Sequence, residues 1–517
     1  MPYSNECMSP DKKTTCSDSQ MPDTAVSIFA ASCHEQNQEQ LRRNIKSLEI
    51  LSLGFNICNS WIAISTALAI AISAGGTVTV LYGIIVTSVT YLAVAVTLAE
   101  LASVYPTAGG QYHFTSILCP PKLNRLVSYV CGLAATSSWI FLAAAITTLS
   151  SQLLLAVPAF YIKSYSPVSW HYALVFQAIN LALLLYNIFA LAKARWTHNI
   201  GFILSLLMFL VILVVCLALS TKSSSKAVWT TFDNATGWPA GVTFLTGLVT
   251  PASMYGGLDG VLHLAEECSR PHRVIPRALM SVIGIGFITG FSFAIAMCYG
   301  ITDIQPLIGA TMPIYDLWRQ ATRSDVAATV FVVMLHIITL FAVIAVQQTA
   351  SRMTWAFARD GGLPAKSWLA SINVKHQVPL WSLLLNALVI SVTGWIYLGS
   401  VAAFSAIIGS SLILQLFSFI IPAVLLLWHK RSESVLPRDR EFRVPEIVGW
   451  SANGLTIILG TVLAVFFTFP GAIPVTGSTM NYASAVIVVI GIVAAVNWFL
   501  FARHHFAGPK VEEYLRK

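Results

Sequence analysis

The acid best placed to do chemistry lies in an apolar stretch long enough to span a membrane. Residues 251–260 read Pro-Ala-Ser-Met-Tyr-Gly-Gly-Leu-Asp-Gly, which places Asp259 just after Tyr255, Gly256 and Gly257. One Pro and three Gly within ten residues disfavour a regular helix, and irregular backbone persists at membrane depth only where it lines a cavity or is buried in protein. We predict a broken helix in which Asp259 holds a cationic head group or a proton. The alternative is a Gly patch for helix packing, with Asp259 bonded to the backbone or a neighbouring side chain.

A second interruption lies in the first apolar segment. Residues 56–61 read Asn-Ile-Cys-Asn-Ser-Trp, so three polar side chains fall within five residues of an otherwise apolar span. Asn and Ser side chains can equally bridge two helices in a membrane. Two interrupted spans at corresponding positions, five spans apart, nevertheless indicate an inverted-repeat transporter with a binding site at the membrane midplane.

Charged residues at span ends form a third group. Glu100 lies five residues before a Tyr-Pro-Thr-Ala-Gly-Gly sequence that stops a helix and makes a tight turn. We expect Glu100 to form a structural or gating ion pair with Arg or Lys rather than to contact substrate. Glu266 and Arg277 belong to a dense charged loop after the sixth span. This loop marks topology, and its Glu266 and Arg277 can also form an inner gate.

The composition shows which elements must position these residues. The chain has 517 residues, of which 56% are hydrophobic and 10% charged, whereas a soluble domain is about 25% charged. This composition excludes a soluble or a disordered protein, and the length excludes a single-span receptor. Stretches of roughly 20 mostly apolar residues each predict one membrane helix. The chain is thus expected to be an all-α polytopic membrane protein with twelve spans, at 48–72, 78–102, 125–150, 170–190, 197–220, 239–263, 277–300, 325–349, 379–398, 401–428, 447–469 and 481–502.

The basic residues indicate how the spans are oriented. With both termini in the cytoplasm, 25 of the 30 Lys and Arg residues fall in inside segments and five in outside loops, as the cytoplasmic enrichment of basic residues predicts. We expect a disordered cytoplasmic tail at 1–44, a transporter domain at 45–502 and a short cytoplasmic tail at 503–517. The net charge of +8 then reflects topology rather than nucleic-acid binding.

Three further patterns bear on processing and chemistry. Asn234 begins an Asn-Ala-Thr glycosylation sequon in a predicted outside loop. None of the nine Cys residues falls in such a loop, and no CxxC pair or Cys/His cluster exists, so neither disulfides nor a metal site are expected. The chain carries no nucleophile motif or nucleotide-binding loop. We therefore expect neither an enzyme nor a bound cofactor.

Together these segments resemble the amino acid–polyamine–organocation superfamily, and more closely its fungal amino acid/choline permease branch, which also includes γ-aminobutyrate permeases. The resemblance covers roughly residues 45–505. It is carried by Asn59-Ser60-Trp61 with residues 73–76, by residues 99–112, 255–259 and 263–267, by Ile275-Pro276-Arg277 and by residues 351–364. It implies a twelve-helix fold with a five-plus-five inverted repeat, broken helices 1 and 6 and two extra helices. It also implies proton-coupled uptake by alternating access.

The resemblance further implies a substrate site in the unwound parts of helices 1 and 6. These parts carry over to Cys58, Asn59, Ser60, Trp61, Tyr255, Gly256, Gly257 and Asp259. Backbone amides at a half-helix N-terminus suit a carboxylate, whereas Asp259 and the faces of Trp61, Trp139 or Tyr255 suit an ammonium or quaternary amine. Helix 1 has Cys-Asn-Ser where many amino acid permeases have a Gly-rich break, which favours the choline-like side.

We therefore expect a secondary active, proton-coupled transporter in the plasma membrane, with the lipid bilayer around it. Its substrate would be a small nitrogenous solute such as an amino acid, γ-aminobutyrate, choline or a polyamine. One alternative is a transporter of a basic specialised metabolite, such as an alkaloid, that belongs to a biosynthetic gene cluster. Another is a non-transporting nutrient sensor, which the short predicted tails disfavour.

Overall fold

The structure, a computed structural model, is almost entirely helical. It describes residues 45–194, 196–303, 307, 312–477 and 479–509, so the predicted N-terminal tail and residues 510–517 lie outside the described residues. Within these ranges there is no β-strand, and eleven helices are long and apolar enough to cross a membrane. The predicted all-α polytopic membrane fold is confirmed.

The helices follow one another along the chain with short connections. In chain order they are α1 (Ser47–Cys58), α2 (Ser60–Ser73), α3 (Gly76–Val104), α4 (Gln111–Leu118), α5 (Asn124–Tyr161), α6 (Ser169–Phe189), α7 (Thr197–Leu219), α8 (Ser225–Thr230), α9 (Ala240–Gly247), α10 (Val249–Ala252), α11 (Pro271–Gly300), α12 (Pro313–Thr322), α13 (Asp325–Arg359), α14 (Lys366–Leu369), α15 (Leu380–Gly399), α16 (Val401–Trp428), α17 (Glu446–Phe466), α18 (Ala483–Asn497) and α19 (Arg503–His505). Two 3₁₀ helices, Ser253–Tyr255 and Leu258–Glu267, follow α10, and a π-helical turn joins α18 to α19.

The first and sixth predicted spans are interrupted. Asn59 separates α1 from α2 in the left-handed region (φ 33°, ψ 60°), a conformation that Asn adopts more readily than most residues because its side chain can bond locally. The sixth span consists of α9, α10 and the two 3₁₀ helices, with Gly257 between the last two at φ 79°. The stretch 239–263 is therefore not the continuous helix that its length alone would suggest.

The interrupted segments lie at the centre of the helix packing. α1 packs against α7, α11 and the 3₁₀ helix Leu258–Glu267, while α5 packs against α13 and α16. The apolar window of Ser47–Leu68 is 78% buried by protein, whereas that of Ala483–His505 is only 6% buried. The broken helices therefore form the core, and the last span lies at the periphery, facing the space that lipid occupies.

Two parts of the chain are more ordered than predicted, the end of α13 and the start of the C-terminal tail. α13 continues ten residues beyond the predicted limit at 349, because Arg352 and Arg359 in its last turns find acidic partners. The start of the predicted C-terminal tail is also ordered. Arg125 donates to the carbonyls of Arg503 and Phe506, and the Ala507 N–H donates to the Asp360 carbonyl at 3.1 Å.

Candidate functional site

The break in the first span is built from polar contacts with α7. Asn59 Oδ1 accepts a hydrogen bond from Ser205 Oγ at 3.0 Å, and Ser205 Oγ accepts one from Trp61 Nε1 at 3.0 Å. These bonds hold the left-handed turn in place, because Asn59 and Trp61, on either side of the junction of α1 and α2, both bond the Ser205 side chain of α7. Asn59 Nδ2 is buried and has no partner among the described residues, and Cys58 is a buried free thiol.

The two broken segments touch each other. Ser60 Oγ donates to the Met254 carbonyl at 2.9 Å, one residue before Tyr255. Tyr255 is fully buried, bonds Ser88 through its hydroxyl at 2.7 Å, and lies 5.3 Å from the Tyr91 ring. The structure thus brings Cys58, Asn59, Ser60, Trp61 and Tyr255 together in one buried region.

The Gly pair lets this region close tightly. At Gly257 a Cβ atom would lie 2.5 Å from Ile57 Cγ2 and 2.9 Å from Leu142 Cδ2, and the φ of 79° is itself unfavourable for any other L-residue. Gly256 has more room, with its nearest side-chain neighbour at 3.4 Å. Gly257 is therefore required both for the turn and for the contact between the two breaks.

Asp259 follows Gly257 by two residues, and four side chains surround its carboxylate. Its Oδ2 atom accepts from Gln111 Nε2 at 2.6 Å and Trp139 Nε1 at 3.1 Å, and its Oδ1 atom accepts from Gln415 Nε2 at 3.0 Å. His263 Nε2 lies 3.0 Å from Oδ2. Within the described part of the chain, no Arg or Lys pairs with this carboxylate. Both of its oxygen atoms are occupied by protein in this closed arrangement.

A cluster of acid–arginine pairs lies at the far end of the same segment. Glu266 forms a two-pronged pair with Arg359 at 2.8 and 2.9 Å, and Glu267 pairs with Arg352 at 2.9 Å. Glu100 accepts from Arg431 at 2.7 Å and from Arg440 at 2.6 Å. We call these the ion-pair cluster. It ties the 3₁₀ helix Leu258–Glu267 to α13, and α3 to the loop after α16.

The predicted gate partner of Glu266 lies elsewhere. Arg277 is exposed, and the described ranges contain no ion pair to it. Glu266 reaches Arg359 instead, and its Oε1 atom also accepts from the Ala108 N–H at 3.1 Å.

Asp360 adds a second buried acid beside this cluster. It accepts from the Tyr112 hydroxyl at 2.9 Å and lies 2.6 Å from His113 Nε2. Burial raises the pKa of Asp360, yet His113 and Arg359 more than compensate and lower it overall. No group of three or more His, Cys, Asp or Glu side chains in the described part of the chain is placed to hold a metal ion.

Comparison with known proteins identifies the family. Residues 48–493 match the model of a family described as amino acid permease. The chain belongs to this family. It is 35% identical over 458 residues to a choline transporter of Saccharomyces cerevisiae, covering 87% of this chain and 79% of that protein. It is 29% identical over 480 residues to a swainsonine transporter of Arthroderma benhamiae (91% and 93%). It is also 25% identical over 492 residues to an amino-acid permease of Arabidopsis thaliana (91% and 94%).

The permease family confirms the predicted class of function, which is transport of a small nitrogenous solute through a membrane. The geometry adds residues that sequence reasoning did not assign to the site. Gln111, Gln415 and Arg359 contact Asp259 or Glu266 from other helices. The signal for Gln415 was available, because it is an amide in the middle of an apolar span.

The sequon of this permease lies in an ordered loop. Asn234 is exposed, its Nδ2 atom donates to the Trp238 carbonyl at 2.6 Å, and its Oδ1 atom accepts from the Thr236 hydroxyl at 2.8 Å. Thr236 itself is buried. Glycosylation of Asn234 stays a prediction.

Proposed function

We propose that this permease is a proton-coupled symporter that imports a small organic cation with a substituted ammonium group, of the choline type. The observation that carries the proposal is the contact between the two broken spans, where Ser60 meets the Met254 carbonyl. Trp61 and Tyr255 flank this contact and are both fully buried. Aromatic faces shielded from water are the surfaces that bind quaternary ammonium groups most strongly.

Two unpaired polar groups near the same contact suit a substrate that also carries a hydroxyl. Asn59 Nδ2 and the Tyr91 hydroxyl are buried without a hydrogen-bond partner in the described part of the chain. Buried polar groups are almost always paired in folded proteins, so an unpaired donor at a ligand site favours a ligand that completes the bond. Similarity to the choline transporter of Saccharomyces cerevisiae supports the same choice.

The proposed topology follows from the distribution of charge and from the breaks. The eleven apolar helices of the described residues, together with the interrupted segment 240–267, support twelve spans, and breaks in the first and sixth are what a five-plus-five inverted repeat predicts. The excess of basic residues in inside segments supports cytoplasmic termini. We propose the plasma membrane as the location, with the ion-pair cluster at the cytoplasmic end.

The test is uptake of radiolabelled choline by cells that lack their own choline uptake and express this chain. We expect saturable uptake that falls to background when a protonophore dissipates the proton gradient. Replacing Trp61 by Leu should raise KM about tenfold or more, since a desolvated cation–π contact contributes up to about 2 kcal/mol. Trp170→Leu, at a half-exposed tryptophan, is the matched control. Uptake that is insensitive to the protonophore would reject the coupling, and an unchanged KM in the Trp61 variant would reject the aromatic site.

A second candidate substrate is a basic specialised metabolite, which the similarity to a swainsonine transporter supports. The same cells separate the two candidates if swainsonine is offered as a competitor of choline. Choline uptake that resists a large excess of swainsonine supports the first candidate, and preferential swainsonine transport supports the second. Transport of either compound by purified protein in vesicles would exclude a non-transporting sensor.

A further inference from the structure

We propose that Asp259 and His263 share one proton and that this pair is the site through which proton movement is coupled to transport. The two side chains lie one helical turn apart, on the part of the sixth span that joins the break to the ion-pair cluster. The inference rests on the proposed proton symport and adds the residues that bind the proton.

Hydrogen-bond geometry favours a proton between the two side chains. His263 Nδ1 lies 2.7 Å from the Ala108 carbonyl oxygen, and because a carbonyl only accepts, Nδ1 carries hydrogen. His263 Nε2 lies 3.0 Å from Asp259 Oδ2, and Trp139 Nε1 lies 3.1 Å from both of these atoms. The single Trp139 hydrogen must be shared between the two acceptors, so without a further proton the ring nitrogen and the carboxylate oxygen would still point lone pairs at each other. One proton between them turns the contact into a hydrogen bond, as imidazolium with carboxylate or as imidazole with carboxylic acid.

Because the surrounding partners are neutral, this one proton determines the net charge of the buried site. The His263 and Asp259 side chains are 0% and 2% exposed, and their other partners, Gln111, Trp139 and Gln415, are neutral. With the proton the pair has no net charge, and without it the buried site has a charge of −1. An uncompensated buried charge is strongly unfavourable, so loss of the proton must be accompanied by rearrangement or by a cation.

Among the described residues, a neighbouring pair of the same chemistry is the buried His113–Asp360 pair, whose other bonds go to Thr107 and Tyr112 rather than to Asp259 or His263. Cys58, Tyr91 and Cys131 lie within electrostatic range of Asp259, and unperturbed thiols and phenols are already protonated at neutral pH. The charged groups on the packed elements are either paired or exposed. The paired ones are Glu100 with Arg431 and Arg440, Glu266 with Arg359, and Glu267 with Arg352. The exposed ones are Arg270, His272, Arg273 and Arg277 on α11 and its N-cap, and Lys46 before α1. The half-buried Glu49 accepts a hydrogen bond from the Lys46 backbone N–H.

One peptide unit connects the proton to the ion-pair cluster. The Ala108 carbonyl binds His263, and the Ala108 N–H binds Glu266, which is itself paired with Arg359. When the proton leaves, repulsion between Asp259 and His263 turns the imidazole away and frees Ala108. The turn before α4 then no longer holds Glu266. The proton is therefore bound while the cluster is closed and leaves as the cluster opens, which is the order that symport needs.

The experiment uses the purified full chain in vesicles, with the membrane potential held at zero, choline as the probe, and two readouts. The first is choline accumulation driven by a gradient of one pH unit, expected to reach about tenfold for one proton per choline. The second is choline counterflow at equal pH, which needs binding and alternating access but no net proton movement. His263→Gln should reduce accumulation to about onefold, the value without a driving force, while counterflow persists, and Asp259→Asn should likewise lose the response to the pH gradient. His336→Gln, at a half-buried histidine that bonds only the Ser150 hydroxyl and carbonyl among the described residues, should retain both activities.

The outcomes separate the inference from the proposed function. Retained accumulation in both pair variants would overturn the inference and leave proton symport standing. Loss of counterflow in both would also overturn it, since the pair would then be needed for translocation itself. If only one variant folds, its two readouts decide. Wild-type counterflow without any response to the pH gradient would instead show that the proposed proton symport is wrong.

Discussion

The Asp259 site and the ion-pair cluster both bury carboxylates, but they surround them differently. In the cluster, Glu100 and Glu266 face guanidinium groups, which stay charged at every physiological pH. Asp259 faces two amides, an indole and an imidazole. A carboxylate locked to Arg remains an anion and can only hold or release its partner. A carboxylate beside His can change its charge, which is the property that the proposed proton coupling requires.

The largest loss of stability is expected at Glu100, the most deeply buried carboxylate of the ion-pair cluster. Glu100→Gln leaves Arg431 and Arg440 buried without a counter-charge, which should destabilise the protein by about 3–5 kcal/mol. The measurement is thermal or denaturant unfolding of detergent-purified protein. Glu433→Gln is the matched control, because its pair with Arg438 is mostly exposed, and such pairs contribute about 0–1 kcal/mol. Equal losses in the two variants would remove the distinction between buried and exposed pairs.

An intermediate effect is expected at the turn that positions Asp259. Gly257→Ala forces a residue with a side chain into the left-handed region, at about 1–2 kcal/mol, and presses a methyl group against Ile57, at about 1–3 kcal/mol. Choline uptake per molecule at the cell surface should fall about tenfold or more, since 1.4 kcal/mol corresponds to a factor of ten. Gly241→Ala, in α9 of the same span, has no atom within 4 Å of its added Cβ and should behave as wild type. Normal uptake by the Gly257 variant would show that the tight turn is dispensable.

The smallest effect is expected in the pH dependence of stability at Asp360, which lies beside the ion-pair cluster. Burial raises the pKa of Asp360, but His113 and Arg359 outweigh burial and place it below its usual range in the folded state. Asp360 therefore stabilises the protein fully above its unfolded pKa, about 3.9, and this stabilisation is lost as pH falls through the lower, folded value. The difference in unfolding midpoint between wild type and Asp360→Asn should shrink below about pH 4. Asp439→Asn, at an exposed acid, should show little difference at any pH. A difference that persists undiminished below about pH 4 would contradict the lowered pKa of Asp360.

Local sequence predicted the breaks because the cause of each break is local. Gly256 and Gly257 cannot continue a helix cheaply, and Asn59 tolerates the left-handed turn. The partners of Asp259 were beyond such reasoning, since Gln111, Trp139 and Gln415 lie 148, 120 and 156 residues away and meet it only through helix packing.

The predicted gate pair shows the same limit of sequence reasoning, because the partner of Glu266 is also distant in the chain. Glu266 was expected to meet Arg277, which is close in sequence, but Arg359 reaches it from α13. Proximity along the chain was the only guide before the fold was known. The helix α13 runs past the membrane-length window that hydropathy defines, and that extension carries both Arg352 and Arg359 to their acids.

The packing of residues 503–509 has a practical consequence for anyone labelling or trimming this protein. Phe506 is fully buried against Tyr129 and Phe357, and the next residue bonds the carbonyl of Asp360, one position after the Arg359 that pairs with Glu266. A fluorescent tag joined directly at 509 would strain that contact, and deleting everything after 502 would expose aromatic side chains beside the ion-pair cluster. A tag is therefore best joined through a flexible spacer, and altered transport kinetics after fusion would reflect the ion-pair cluster as much as the label.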